Sequence, residues 1–281
     1  MNSIKTVFLL GLLTGLIVVF GNVFGGRSGM VMALGVAAVM NFVSYWFSDK
    51  IVLAMHGAKE IQPADAPEVF SIVANLTQKA GMPMPRVYYI DDPSPNAFAT
   101  GRSPDHAAVA VTSGIMKLMN RDELEGVLAH ELSHVKNRDI LISSVAATLA
   151  GAIMVLAHVA RWGAIFGGFG GRDDERGPSP IALIVTAILA PIAATLIQLA
   201  VSRSREYEAD ASGAQLAGHP DGLASALRKL GQVSGRIPPM QTSPAVGHLY
   251  IVNAFSGRAL MNIFSTHPPL EDRIARLLGR R

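Results

Sequence analysis

The chain has 281 residues, of which 50% are hydrophobic and only 16% are charged. Soluble domains usually carry about 25% charged residues, so this composition favours a membrane protein. The net charge of +3 is too small to indicate a nucleic-acid partner. The absence of cysteine excludes disulfides, thiol nucleophiles and cysteine-ligated metal, and it fits a reducing compartment.

Two charge-free apolar runs open the chain and predict a pair of membrane-spanning helices. The spans cover about 6–26 and 28–48, and each is close to the roughly 20 residues that cross the hydrocarbon core. The short turn Gly25–Arg27 between them predicts a helical hairpin, and the aromatic residues Tyr45–Phe47 are suited to the membrane interface. A cleaved signal peptide is the alternative for the first run, but no cleavage site leads into a polar segment.

Two further apolar runs predict a second hairpin, with spans at about 140–160 and 180–202. The loop Arg161–Ser179 would join them on the opposite side of the membrane. Pro191 is expected to kink the last span, which membrane helices tolerate. Buried helices of a soluble core are the alternative for this pair.

Four spans place both termini on the same side, and the basic residues of the two long polar segments predict that this side is the cytosol. The predicted fold class is therefore α+β, with four transmembrane helices and one cytosolic domain in contact with the lipid bilayer. That domain is built from two segments, because the second hairpin interrupts it. The predicted parts are 1–49, 50–139, 140–202 and 203–281.

The polar segments mix helical and strand patterns. Apolar residues at helical spacing over 63–81 predict a helix that ends at Gly81. Asn120 with Glu123 three residues later is a capping box, which predicts the start of a helix over Arg121–Val135. The other predicted elements are strands at Arg86–Ile90, Asn96–Thr100 and Ala107–Thr112, and helices at Ser204–Ala217, Ala224–Leu230 and Arg273–Leu278.

Residues 130–134 read His-Glu-Leu-Ser-His, a metal-binding pattern on the predicted helix Arg121–Val135. Residues four apart lie one above the other on a helix, so His130 and His134 can bind one cation. Glu131 lies on the adjacent flank, where its carboxylate can reach a water molecule at the same site. Two solvated histidines on an ordinary helix are the alternative interpretation.

A catalytic zinc site usually needs a third protein ligand, and here it must come from a distant part of the chain. Position 140, where a metzincin would carry a histidine, is isoleucine. Glu206 and Asp210 share one face of the predicted helix Ser204–Ala217, so one could bind metal while the other accepts the N–H of a ligating histidine. An ordinary charged helix surface is the alternative. The other candidate ligands are Glu208, His219, His248 and His267.

The predicted second hairpin favours the segment that holds these two carboxylates. The helix of His134 leads directly into the third span, and the fourth span leads into Ser202–Asp210. Neighbours in an antiparallel hairpin leave the membrane on the same face, and at about 1.5 Å per residue the two sets of side chains reach a similar height. The spacing therefore predicts that a carboxylate of this segment meets the histidine pair at the membrane surface.

Four segments of the chain carry a resemblance to a known family. They are Asn96–Gly101 (NAFATG), His130–His134 (HELSH), Glu206–Asp210 (EYEAD) and Thr266–Ile274 (THPPLEDRI). In this order, and with four spans placed as predicted, they resemble the HtpX family of membrane zinc metalloproteases, which is related to the CAAX prenyl proteases. The resemblance extends over nearly the whole length of the chain.

The resemblance implies a zincin-like (gluzincin) protease domain with one Zn²⁺ per chain. It implies that His130, His134 and Glu206 bind the zinc, that Glu131 is the catalytic base, and that Asp210 supports a ligating histidine. It also implies an edge strand at Asn96–Gly101 that binds polypeptide substrates. The expected role is quality control of misfolded or damaged membrane proteins in a bacterial inner membrane under stress, with a cytosolic active site.

Three further residues are candidates for contact with the substrate or the transition state, namely Asn96, His267 and Arg273. A structural role, as a turn for His267 and as a surface ion pair for Arg273, is the alternative. His158, inside the third span, is expected at the membrane interface and outside the site.

The sequence leaves two other functions open. A catalytically idle membrane scaffold could use the same fold to bind partners. A prenyl-processing protease would apply the same chemistry to a lipidated substrate, although four spans, in place of a larger helical chamber, argue against it.

Overall fold

The computed structural model describes residues 2–149, 203–233 and 268–279. The predicted fourth span and most of the third lie outside these residues, as do the loop Arg161–Ser179 and the three histidines 158, 248 and 267. The described part nevertheless contains the His-Glu-x-x-His segment, the segment of Glu206 and the C-terminal helix.

Four short strands and a set of helices make up the described residues. Their bounds in chain order are α1 (Asn2–Trp46), α2 (Ser48–Met55), β1 (Lys59–Glu60), α3 (Pro67–Ala80), β2 (Arg86–Ile90), β3 (Ala97–Gly101), a 3₁₀ turn (Pro104–His106), β4 (Ala107–Thr112), α4 (Ser113–Leu118), α5 (Arg121–Lys136), α6 (Ile140–Leu149), α7 (Arg203–Ala217), α8 (Asp221–Val233) and α9 (Leu270–Leu277).

The strands form one mixed sheet in the order β1-β2-β4-β3. The central strands β2 and β4 are parallel, whereas β1 and β3 run antiparallel to their neighbours. Every residue of β4 is buried, as expected for a central strand covered on both faces. Strand β3 pairs with β4 on one side only, so within the described residues it is an edge strand.

Apolar side chains cover both faces of this sheet. Helices α3 and α5 pack on one face, where their buried residues join those of β4 in the main core. Helix α2 lies on the other face, where Leu53 packs with Phe98 and Tyr88. The site-bearing helix α5 is therefore fixed between the sheet and the helices α7 and α8.

The ends of two helices confirm the capping signals in the sequence. Helix α3 ends at Gly81, which has the left-handed conformation (φ 66°) that glycine adopts most readily. At the start of α5, the Asn120 side chain accepts a hydrogen bond from the Glu123 N–H, and the Glu123 carboxylate accepts one from the Asn120 N–H. Both predicted ends therefore agree with the structure.

Helix α1 is a hairpin broken at Gly26, where φ is 56° and ψ is −146°. Its two halves contact each other, because the Asn41 side-chain amide donates to the Thr14 hydroxyl across them at 2.8 Å. A side chain at Gly21 would overlap Ala33, so the halves need glycine to pack this closely. Within the described residues, Gly26–Trp46 is the helix long and apolar enough to cross a membrane.

Candidate metal centre

Helix α5 holds the two histidines of the motif on one buried face. The rings of His130 and His134 lie with their centroids 4.9 Å apart and nearly perpendicular. His130 is buried, while the His134 side chain keeps 17% of its surface exposed. The i, i+4 spacing predicted this pairing, and the regular geometry of α5 produces it.

Helix α7 brings the carboxylate of Glu206 to these two rings. Its oxygens lie 3.7 Å from the Nε2 atom of His130 and 3.5 Å from the Nε2 atom of His134. One ligand atom from each of these three residues lies within 4.8 Å of the others, so the group can hold a metal ion. Of the other candidate ligands, Glu208 and His219 lie outside this group in the described part of the chain.

The close approach of α7 to α5 depends on Gly213. A Cβ atom at this position would lie 2.9 Å from both the Cα and the N atoms of His130. Backbone atoms cannot move aside as a flexible side chain can, so a larger residue would push the helices apart. Sequence analysis missed Gly213, although its spacing from Glu206 and Asp210 places all three on one helical face.

Asp210 lies behind His130, on the side away from Glu206. Its Oδ1 atom is 3.0 Å from the Nδ1 atom of His130. This is the position from which a carboxylate fixes the orientation of a ligating imidazole. Burial alone would raise the pKa of Asp210, but the hydrogen bonds and charges of Arg273 and His130 together outweigh burial and lower the pKa to about 2.

Arg273 is completely buried, which corrects the alternative of a surface ion pair. Its Nε and Nη2 atoms donate to the two carboxylate oxygens of Asp210 at 2.8 and 2.6 Å. Its Nη1 atom also lies 3.8 Å from Glu206. The guanidinium thus ties the C-terminal helix α9 to the carboxylates of α7, in the bidentate geometry that arginine favours.

A second carboxylate, Asp139, flanks His134. Helix α5 ends at Lys136, and a turn with Arg138 in the left-handed region (φ 58°) returns the chain to the histidine. There Asp139 Oδ2 lies 3.5 Å from the Nδ1 atom of His134. Burial lowers the pKa of His134, but Asp139 and the charge of Glu206 outweigh it and raise the pKa to about 9. The surroundings of His134 therefore favour a positive charge.

Glu131 is 7% exposed and lies between α5 and the edge strand β3. Its Oε2 atom accepts a hydrogen bond of 3.1 Å from the backbone N–H of Ala99. Burial raises the pKa of Glu131, and the nearby histidines and the Ala99 bond only partly offset it. A raised pKa makes this carboxylate a better proton acceptor near neutral pH.

Asn96 lies just before β3 and is buried, with its backbone N–H bonded to the Thr112 hydroxyl at 2.9 Å. Its predicted contact with substrate stays a prediction.

The three-residue group at the centre, two imidazoles and one carboxylate, matches the donor set of many catalytic zinc sites. The donors and the local preference for positive charge both fit a divalent cation.

Known proteases match this chain over most of its length. The model of peptidase family M48 matches residues 63–281. A protease HtpX homolog of Desulfatibacillum aliphaticivorans is 60% identical over 280 residues, covering 100% of this chain and 90% of its own. The homolog of Syntrophobacter fumaroxidans is 56% identical, covering 98% of each chain. That of Pyrococcus furiosus is 53% identical, covering 98% of this chain and 94% of its own.

A solved structure shares the fold. The crystal structure of S. mikatae Ste24p aligns with a TM-score of 0.50 at 20% sequence identity, over 98% of this chain and 65% of the other. At this identity the likeness concerns the fold alone. The family match and the identities over the whole length are the stronger findings, and on them the chain is a metalloprotease that belongs to peptidase family M48.

Proposed function

We propose that the chain is a zinc-dependent endopeptidase whose ligands are His130, His134 and Glu206. The observation that supports this most strongly is the meeting of these three side chains within 4.8 Å, from two helices far apart in sequence. When bound, a zinc ion would act as a Lewis acid that polarises the scissile carbonyl and acidifies water.

Glu131 is the proposed general base. Its carboxylate takes a proton from the attacking water and returns it to the leaving nitrogen, which is the usual cycle of a single acid–base group in peptide hydrolysis. The Ala99 N–H holds this carboxylate in place at 3.1 Å. Asp210 orients the His130 ring, and Arg273 holds Asp210.

The proposed substrate site is the edge of β3 that does not pair with β4, which is buried beside α5 in this structure. Along β3, residues whose backbone groups bond β4 alternate with residues whose backbone groups face away from β4. Ala99 is one of the outward-facing residues, because its N–H donates to Glu131. A peptide that adds as a further strand would bind through its backbone, with little preference for sequence. The outward N–H of Gly101 bonds the Ser144 hydroxyl of α6 at 3.3 Å, so α6 already occupies this end of the edge.

We also propose that the enzyme works in a bacterial inner membrane with its active site in the cytosol, and that its substrates are misfolded or damaged membrane proteins. Four membrane spans belong to this proposal. The hairpin at Gly26 and the apolar start of α6 support it. Backbone-based recognition suits the task, because damaged proteins share exposed backbone and no common sequence.

The test compares four purified full-length proteins, namely wild type, Glu131→Gln, Glu206→Ala and Glu208→Gln. Zinc content and cleavage of casein are measured in detergent. Glu131→Gln should keep one zinc and lose cleavage by at least about 100-fold, the contribution expected of a general base. Glu206→Ala should lose zinc, and the exposed control Glu208→Gln should match wild type.

Two outcomes would contradict the proposal. Full cleavage by Glu131→Gln with zinc bound would remove Glu131 from the chemistry. Unchanged zinc affinity in Glu206→Ala would remove Glu206 from the ligand set. If wild type binds zinc but cleaves no polypeptide, an inactive scaffold becomes the better description.

A further inference from the structure

A cavity of about 370 Å³ lies at the Trp46 end of α1, away from the metal centre. Four parts of the chain meet there: the end of the α1 hairpin, the start of α2, the start of β2, and the turn between β3 and β4. The lining residues are Phe42, Trp46, Phe47, Asp49, Lys50, Arg86, Arg102, Asp105 and His106. Neither the proposed ligands nor the proposed base contributes to it.

Two cations of this cavity stand over aromatic rings that also line it. The guanidinium of Arg102 lies 4.5 Å from the centroid of Trp46, and the Lys50 ammonium lies 5.5 Å from that of Phe47. Among the described residues, neither cation forms an ion pair. Arg86, in contrast, is paired with Asp49 at 2.8 Å. The cavity therefore presents two available positive charges, opposed by the exposed carboxylate of Asp105.

The position of the cavity determines what kind of anion fits. Trp46 ends the helix that has the length and composition to cross a membrane. Tryptophan at the end of such a helix is typical of the boundary between lipid and water. Phe42, one turn further into the helix, is 57% exposed, so an apolar surface continues from the cations along α1. An occupant would thus meet positive charge at one end and exposed hydrocarbon at the other.

We propose that this cavity binds the headgroup of an anionic glycerophospholipid. The phosphate would lie between Arg102 and Lys50, and the acyl chains would follow the exposed face of α1 at Phe42. Arg102 immediately follows β3, so the bound headgroup would also fix the end of the proposed substrate strand relative to the membrane. The inference depends on the membrane location of α1 and is independent of zinc and of Glu131.

The experiment uses the full-length protein in detergent with equimolar phosphatidylglycerol and phosphatidylcholine, and native mass spectrometry counts the bound lipids. Wild type should retain phosphatidylglycerol in preference. Arg102→Gln and Lys50→Gln should each reduce that preference about fivefold, the equivalent of about 1 kcal/mol per cation near the lipid surface. Asp105→Asn should increase it, because the opposing charge is lost. Lys117→Gln, an exposed lysine elsewhere, is the matched control.

Asp105→Asn keeps the test decisive if the cation variants fold poorly, since it changes an exposed residue and predicts the opposite sign. Equal binding of the two lipids by wild type, or no effect of Asp105→Asn, would overturn the proposal. A further arm adds soluble glycerol 3-phosphate. If that anion displaces the lipid at equal concentration, the cavity is a simple phosphate site, and the lipid assignment is wrong.

Discussion

At the scale of single residues, the ion pair of Arg273 with Asp210 is the most consequential contact around the metal centre. Both side chains are buried, and the guanidinium bonds both carboxylate oxygens. A buried charge that loses its partner destabilises a protein by about 3–5 kcal/mol. Here the loss of Arg273 would also release Asp210, the carboxylate that is proposed to orient His130.

Arg273→Gln should therefore weaken both the fold and the metal site. We expect unfolding at lower denaturant concentration and a zinc affinity about 10- to 100-fold lower, the usual effect of removing support from a ligand. Zinc titration and denaturant unfolding measure the two effects. The control is Arg276→Gln on the same helix, whose guanidinium lies on the surface over Tyr207. Wild-type zinc affinity in Arg273→Gln would show that Asp210 needs no help to hold His130.

Glu123 links stability to pH. Burial raises its pKa, but hydrogen bonds from Lys229, the Asn120 N–H and Ser225 outweigh burial, so the pKa in the folded chain is below the ordinary 4.5. The unfolded chain therefore takes up this proton first as the pH falls. The stabilisation is complete above pH 4.5 and is lost as the pH falls through the folded pKa.

Glu123→Gln should be less stable than wild type at neutral pH and should lose less stability on acidification below pH 4.5. Denaturant unfolding at a series of pH values compares the two proteins. Glu125→Gln on the same helix, paired at 3.7 Å with the half-exposed Lys79, is the control and should change little. Parallel pH profiles for wild type and Glu123→Gln would contradict the assignment.

At the scale of elements, the sequence predicted those helix ends that are determined by residues only a few positions away. The glycine at 81 and the capping box at Asn120 fixed two helix ends correctly, because both act within a few residues. Strand β3 was predicted at Asn96–Thr100 and lies one residue later, at Ala97–Gly101. Pairing with β4 decides that boundary, and pairing depends on a second strand.

The packing of α7 on α5 gives the sharpest prediction at this scale. Gly213→Ala adds one methyl group where His130 backbone atoms lie 2.9 Å away, so α7 must move outward and carry Glu206 with it. We expect a loss of about 1–3 kcal/mol in unfolding free energy, typical of overpacking, together with weaker zinc binding. Gln215→Ala, exposed on the same helix, should leave both unchanged. Zinc binding at wild-type strength in Gly213→Ala would mean that the helices adjust without moving the ligand.

At the scale of the whole molecule, the sequence predicted which residues meet at the metal centre better than it predicted which contacts hold them in place. The spacing of the motif and the order of the spans pointed to a carboxylate of Glu206–Asp210, and the family resemblance selected Glu206. The bond from Ala99 to Glu131 and the contact of Arg273 with Asp210 join residues 32 and 63 positions apart. Such contacts depend on how sheet and helices are arranged, which periodicity does not encode.

The break at Gly26 also allows the orientation of the molecule to be measured. It separates Ser28 at the hairpin tip from the Trp46 end by a 21-residue helix, a distance of about 30 Å at the usual helical rise. Since the chain has no cysteine, a single thiol can be introduced at either end without background labelling. In intact cells, a maleimide that does not cross membranes should label Ser28→Cys from outside and reach Gln78→Cys, on α3, only after lysis. The reverse pattern would place the protease domain on the outer side of the membrane.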